Sequence, residues 1–243
     1  MSIPDAYEAE VWSRPALPAR TRCLITLGVL TALHQPGELE DQVRRALDSG
    51  VTPDKIHEAL FHAGLYRGMP AWRCATTAAN VVFAERGLLE TPQAEPYTPR
   101  GPQTHDERVA ARDRLAKTLR NWRMGVGDDA PLLPALGTES PPRPAKLPIE
   151  RDVLEVMSLY ALGDVWSRPG LSLDERGLIT VGVLTAMNQP GRLHTYVNTA
   201  LNLGLTEEQI LEAVLHAGVY GGVSSWRAAE KVAKGVFEVR RTA

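Results

Sequence analysis

An internal repeat constrains the fold of this chain more than any other feature of its sequence. Residues 58–68 read Glu-Ala-Leu-Phe-His-Ala-Gly-Leu-Tyr-Arg-Gly, and residues 212–222, which lie 154 positions later, read Glu-Ala-Val-Leu-His-Ala-Gly-Val-Tyr-Gly-Gly. At the same offset, residues 11–86 align with residues 165–240 without a gap, and about half of the positions are identical. This period is far too long for a solenoid repeat. The chain therefore contains two copies of one structural unit.

Hydrophobic periodicity predicts that each copy is helical. Residues 24–33 are apolar on almost every face, as is typical of a buried helix, and residues 178–187 are their counterpart. Residues 39–49 have helical apolar spacing, and Thr52, followed by Pro and Asp, predicts the cap of the helix that carries the repeated motif. We expect a last helix over residues 71–84. Because no stretch alternates with period two for long, the predicted fold class is all-α.

Composition predicts the domain boundaries. We expect a first copy with a short N-terminus over residues 1–90, a Pro-rich linker over residues 91–148, and the second copy over residues 149–243. Ten of the chain's eighteen prolines lie in residues 87–149, which indicates extended or irregular chain. Within the linker, residues 104–123 have amphipathic spacing after a Thr cap and predict one helix.

Charge and cysteine content exclude several classes of function. The formal net charge of −2 and the pI near 6.3 give no reason to expect a nucleic acid or an anionic membrane as partner. The first residues lack a basic region followed by an apolar run, and the longest apolar stretch is too short to span a membrane. Cys23 and Cys74 have no CxxC spacing, so neither a disulfide scaffold nor a redox motif is predicted. We expect a cytoplasmic protein with a small-molecule partner.

The repeated motif is the first candidate site. Its Glu, His and Tyr are spaced four residues apart, so on a helix they lie along one face. We interpret the histidines as acids or bases whose tautomer the glutamates set, and the tyrosines as donors to a carbonyl oxygen. The alternative is a core histidine bonded to its glutamate. No third His or Cys repeats with them, so no metal site is predicted. The six residues are Glu58, His62, Tyr66, Glu212, His216 and Tyr220.

Three phrases in a fixed order and spacing resemble the carboxymuconolactone decarboxylase family. They are Val-Trp-Ser-Arg-Pro, Arg-x-Leu-Ile-Thr and Glu-x3-His-Ala-Gly-x-Tyr-x-Gly, and the resemblance covers about 75 residues of each copy. It implies an all-α, alkylhydroperoxidase-D-like fold that needs no cofactor. Single-unit members usually assemble as hexamers built from dimers. The resemblance therefore implies a homo-oligomer for this chain, and a trimer of tandem chains is favoured.

The resemblance also implies a lyase that acts on a carboxylated lactone or a similar enolisable ring. Decarboxylation leaves negative charge in a dienolate, so the site needs cations and a positioned acid. The arginines of the first two phrases are candidates for binding substrate carboxylates, and the Trp beside them for lining the pocket. The alternatives are an isomerase, dehydratase or cyclase with the same enolate chemistry in a catabolic or natural-product pathway, and a non-catalytic small-molecule-binding or assembly protein. The substrate-binding candidates are Trp12, Arg14, Arg22, Tyr66, Trp166, Arg168, Arg176 and Tyr220.

The chain departs from the family at one catalytic pair. Decarboxylating members usually carry Glu and, four residues later, His in an earlier helix; here the first copy has Glu38 and Gln42, and the second has Arg192 and Tyr196, with His194 on a different helical face. Glutamine is no acid or base, and arginine inverts the local charge. The thiols of a peroxidase cycle are absent. We predict two specialised pockets, in which Glu38, His194 and Tyr196 support acid–base work by the motif histidines and Arg192 binds substrate. Loss of activity in the second copy is the alternative.

Overall fold

The computed structural model describes residues 2–89, 104–120 and 148–242, and these residues form helices without a strand. The all-α prediction is confirmed. The chain divides into two compact units, the first made of Met1–Pro99 with Pro169–Ala243 and the second of Arg100–Arg168. The helices of the first unit are α1 (Ile3–Trp12), α2 (Ala19–Leu33), α3 (Pro36–Asp48), α4 (Pro53–Arg67), α5 (Met69–Glu85), α8 (Leu173–Ala186), α9 (Pro190–Asn202), α10 (Glu207–Gly221) and α11 (Val223–Thr242).

Local sequence explains where the helices of the first copy begin and end. The side chain of Thr52 accepts a hydrogen bond from the N–H of Lys55, which makes Thr52 the predicted N-cap of α4. Helix α2 ends at Leu33, and its C-cap His34 adopts a left-handed conformation with φ of 58° before Pro36 begins α3. None of the described helices has the length and apolarity that crossing a bilayer requires.

Helices from the two copies pack into the same compact unit. Helix α2 of the first copy contacts α8 of the second, and they approach closely at two glycines related by the repeat. A Cβ added to Gly28 would lie 2.7 Å from Cγ2 of Ile179, and one added to Gly182 would lie 2.7 Å from Cγ2 of Ile25. Each central helix places side chains in the other copy's core, Ile25 among residues of the second copy and Ile179 among residues of the first. The sequence copies are therefore not separate packing units, and the domain boundaries predicted from the repeat stay a prediction.

The glycine of the repeated motif serves helix packing. A Cβ on Gly64 would lie 2.7 Å from Cβ of Trp72, and a Cβ on Gly218 would lie 2.7 Å from Cβ of Trp226. The small residue that follows His-Ala in each copy therefore lets α5 or α11 approach the motif helix, with the tryptophan covering it.

The second unit contains α6 (His105–Arg120), α7 (Pro148–Ser158) and a π-helical segment, Leu159–Trp166. The N–H of Glu107 donates to the side chain of Thr104, so the predicted helix does begin at a Thr cap. Helix α6 packs on the π-helical segment, where Arg108 forms an ion pair with Asp164. The rest of the predicted linker lies outside the described residues.

Candidate active site

The repeated motif and the central helices form two equivalent networks, each built from both copies. The first network joins Arg22 and Thr26 of α2 to Glu212, His216 and Tyr220 of α10. The second network is made of the residues that correspond to these in the other copy, and it joins α8 of the second copy to the motif helix α4 of the first. Its residues are Arg176, Thr180, Glu58, His62 and Tyr66.

The charged groups of the first network are buried and paired. Arg22 is 0% exposed and donates from Nη2 to Oε1 of Glu212 at 2.9 Å. Arg14, at the surface, donates from Nε to both oxygens of the same carboxylate at 2.9 and 2.8 Å. In the second network Arg176 donates to Oε2 of Glu58 at 3.0 Å, and both are fully buried. Each pair spans the two copies, so removal of one member would leave a charge buried without its partner.

Hydrogen bonds fix the histidines in one neutral tautomer. Nδ1 of His216 lies 3.5 Å from Nη1 of Arg22, and a guanidinium only donates, so Nδ1 accepts. The proton is then on Nε2, which lies 2.7 Å from Oγ1 of Thr26, while the threonine hydroxyl donates to the carbonyl of Arg22 at 3.0 Å. His62 has the same arrangement, 3.3 Å from Nη1 of Arg176 and 2.9 Å from Oγ1 of Thr180.

The surroundings of both histidines oppose protonation. Burial, reinforced by the Arg22 guanidinium, lowers the pKa of His216 to about 3. Burial and the Arg176 guanidinium hold the pKa of His62 well below its usual value. Both imidazoles are therefore neutral near pH 7 and have both ring nitrogens engaged. Their role as acids or bases stays a prediction, and the geometry also fits the alternative of a core histidine that links helices.

The tyrosine of the first network reaches the half-buried edge of the site. The indole N–H of Trp12 donates to the phenol oxygen of Tyr220 at 3.2 Å, and the phenol donates to Oε1 of Glu8 at 3.4 Å. Burial raises the pKa of Tyr220 to about 12, so the phenol keeps its proton. Nη1 of Arg45 lies 3.1 Å from the same oxygen of Glu8, and the guanidinium carbon lies 4.4 Å from the centre of the Trp12 ring.

The second network has different neighbours at its edge. The phenol oxygen of Tyr66 lies 3.0 Å from Oγ1 of Thr180, and its ring meets the ring of Tyr196 edge-to-face, with 5.5 Å between centroids. Tyr196 comes from α9 and stands where the family usually has histidine, so one altered residue of the second copy does contact the retained motif. Trp166 and Arg168, the counterparts of Trp12 and Arg14, lie in the second compact unit.

The remaining predicted residues of α3 and α9 are not joined to either network by a hydrogen bond or ion pair identified among the described residues. Glu38 and Arg192 are exposed. His194 is half-buried on another face of α9, and burial lowers its pKa. Gln42 is 5% exposed, and its Nε2 has no hydrogen-bond partner in the described part of the chain.

Four residues of the two sites were absent from the sequence prediction. Thr26 and Thr180 end the repeated phrase Arg-x-Leu-Ile-Thr, so their recurrence was a usable signal. Glu8 and Arg45 gave no such signal, because Glu8 precedes the aligned residues 11–86 and the repeat places Thr199 opposite Arg45. Within the described residues, no group of three or more His, Cys, Asp or Glu side chains is arranged to hold a metal ion.

Comparison with known proteins follows the same division into copies. A model of the carboxymuconolactone decarboxylase family matches residues 3–80 and 151–235. The 4-carboxymuconolactone decarboxylase of Acinetobacter baylyi is 44% identical over 79 residues, which is 32% of this chain and 59% of that protein. Nitrosuccinic acid decarboxylase of Metarhizium robertsii is 41% identical over 78 residues, which cover 32% of this chain and 54% of that protein. An uncharacterised 15.0 kDa protein of Paracoccus denitrificans is 38% identical over 84 residues, which cover 33% of this chain and 62% of that protein. The chain thus spans little more than half the length of these relatives.

Proposed function

The chain belongs to the carboxymuconolactone decarboxylase family, and from this membership we propose that it is a cofactor-independent lyase that decarboxylates a small organic acid. The proposed substrate carries its leaving carboxylate near an electron-withdrawing group, as in a carboxylated lactone or a similar enolisable compound. Two relatives bear the names of decarboxylases for different acids. A lactone acid and a nitro acid share one requirement, because loss of carbon dioxide leaves an electron pair that must be delocalised onto oxygen.

The observation that supports this proposal best is the position of Tyr220. Its oxygen accepts from the Trp12 indole, its proton points towards a carboxylate at the half-exposed edge, and the histidine behind it is neutral and fully engaged. A phenol held in this way is suited to protonate carbon. In the proposed reaction the bond to the carboxylate breaks, carbon dioxide leaves, and the electron pair moves into the dienolate. The phenol then gives its proton to carbon, and solvent returns a proton to the phenolate.

The buried networks would support this step by positioning. Arg22 and Glu212 fix α2 against α10, so Thr26, His216 and Tyr220 keep one geometry. The surface guanidinium of Arg14 adds positive charge beside the site. Fixed dipoles and cations near a developing oxyanion lower the barrier without reorganisation. Tyr66 has the corresponding place in the second network, with Tyr196 beside it.

The test is release of carbon dioxide from carboxymuconolactone and from nitrosuccinate, measured with the purified protein and with Tyr220→Phe, Tyr66→Phe and the double variant. We expect the double variant to lose about 10²- to 10⁴-fold in kcat, the range found for a general acid. Tyr7→Phe is the matched control, since Tyr7 is an exposed tyrosine of the same unit.

Each other outcome has a defined meaning. If the wild-type protein consumes an acid without releasing carbon dioxide, it is an isomerase, dehydratase or cyclase and the proposal is wrong. If no acid is consumed but acids raise the unfolding temperature, the protein is a binding protein. If the double variant keeps full activity, the phenols are not the proton donors.

A further inference from the structure

The central helix of the second network meets the first network at one glycine. A Cβ added to Gly182 of α8 would lie 2.7 Å from Cγ2 of Ile25 in α2 and 3.9 Å from Cβ of Ala217 in α10. In the sequence, Ile25 immediately precedes Thr26 and Ala217 immediately follows His216. Helix α8 therefore packs directly beside both residues that form the hydrogen bond between His216 and Thr26.

The repeat produces the same contact in the opposite direction. A Cβ added to Gly28 of α2 would lie 2.7 Å from Cγ2 of Ile179 in α8 and 3.9 Å from Cβ of Ala63 in α4. These two contacted residues adjoin Thr180 and His62 in the sequence. The central helix of the first network therefore packs beside the histidine–threonine hydrogen bond of the second.

Neither contact has room to absorb a displacement. The two isoleucines and the two alanines are completely buried, and a Cβ at 2.7 Å from a methyl carbon would be closer than van der Waals contact allows. Close-packed interiors transmit such strain to their neighbours. The histidines bond their threonines over 2.7 and 2.9 Å, and hydrogen bonds of this length weaken when the helices that carry them separate.

We infer that the two networks are coupled in conformation, with Gly182 as a positioning residue of the first network and Gly28 as a positioning residue of the second. A change that moves one central helix alters the histidine–threonine bond of the other network. An event in one site is therefore felt in the other. This inference does not depend on the proposed function, because the contacts exist without a substrate.

Proton–nitrogen NMR of the protein with isotope-labelled histidine tests the inference. The hydrogen-bonded Nε2 protons of His216 and His62 are buried and give signals that His216→Gln and His62→Gln assign. We expect Gly182→Ala to shift the His216 signal more than the His62 signal, and Gly28→Ala to do the reverse. A glycine that acted only through its own helix would give the opposite pattern, since each glycine lies on the central helix of the other network.

Compensating substitutions test the contacts themselves. Ile25→Leu removes the β-branched methyl group that Gly182→Ala would meet and keeps the volume of the side chain, so the double variant should return the His216 signal towards its wild-type position. Ile179→Leu should do the same for the His62 signal in Gly28→Ala and should not rescue Gly182→Ala. In urea denaturation, the unfolding equilibrium constant of each matched double variant should differ by about two-fold or more from the value expected for independent changes.

A threonine substitution tests the coupling without a change at either glycine. Thr26→Val removes the acceptor of the His216 bond and should also shift the signal of His62, which belongs to the other network. Thr77→Val is the matched control, because Thr77 is exposed on α5 and, like Thr26, donates its hydroxyl to the carbonyl four residues earlier. The control should leave both signals unchanged. Thr26→Val also provides the test if a glycine variant does not fold.

Two results would overturn the inference. If Thr26→Val shifts the His62 signal no more than Thr77→Val does, the networks are independent. If each glycine substitution shifts mainly the histidine bonded to its own helix, or if either leucine rescues both glycine variants equally, the two glycines are not the positioning residues.

Discussion

Acidification should destabilise this protein through its buried histidines. An imidazole in an unfolded chain titrates near pH 6.5, whereas burial and Arg22 lower the folded-state pKa of His216 to about 3, and burial and Arg176 lower that of His62 as well. Between these values the unfolded chain binds protons that the folded chain rejects. The stabilisation is therefore complete above about pH 6.5 and is lost as the pH falls towards 3.

The size of the effect follows from the proton count. Each bound proton changes the free energy of unfolding by about 1.4 kcal/mol per pH unit, so His216 costs about 2 kcal/mol between neutral pH and pH 5. Typically about 5–15 kcal/mol separates folded from unfolded states, so this loss is a measurable part of the total. His62, whose pKa is also lowered by burial, acts in the same direction. Urea denaturation at closely spaced pH values measures the slope.

A single substitution isolates the contribution of one histidine. His216→Gln keeps a side chain that donates to Thr26 and accepts from Arg22 but cannot titrate, so its slope between about pH 4 and 6 should be smaller by about one proton, or 1.4 kcal/mol per pH unit. His105→Gln, on the surface of α6, is the control and should keep the wild-type slope. Equal slopes in His216→Gln and wild type would mean that His216 is protonated in the folded protein, and the assigned tautomer would be refuted.

Two further substitutions test the packing between the copies. Gly28→Ala places a methyl group 2.7 Å from a side chain of α8 and should lower the free energy of unfolding by about 1–3 kcal/mol. The control Gly37→Ala, where an added Cβ would have no atom within 4 Å, should not destabilise the protein. Equal effects of the two substitutions would contradict the close approach of α2 and α8. Glu212→Gln leaves the Arg22 guanidinium buried without a full charge partner and should lower the free energy of unfolding, measured by urea denaturation, by about 3–5 kcal/mol. The control Glu207→Gln changes a surface ion pair and should lower it by less than about 1 kcal/mol. A decrease below about 1 kcal/mol in Glu212→Gln would show that the buried ion pair does not stabilise the fold.

The structure brings the residues of the repeated motif into two networks, but it does not bring Glu38 of α3 into them. The motif Glu and His were expected to interact on their own helix, and each instead bonds an arginine of the other copy, as His216 and Glu212 do with Arg22. Glu38, the carboxylate expected to complete the first pocket, faces solvent. The carboxylate near Tyr220 comes from Glu8, which no repeat or periodicity distinguishes.

The sequence by itself determined the helical class, the duplication, the Thr caps of α4 and α6, and the residues that recur in both networks. These follow from local spacing, because a helix repeats its faces every few residues and a cap needs only its own first turn. Only the tertiary structure decided that each network takes its arginine and threonine from one copy and its Glu, His and Tyr from the other. Because α2 and α8 cross closely at Gly28 and Gly182, the arginine and threonine of each central helix reach the motif helix of the other copy. Local periodicity cannot predict such contacts, since the residues that make them are more than a hundred positions apart in the sequence.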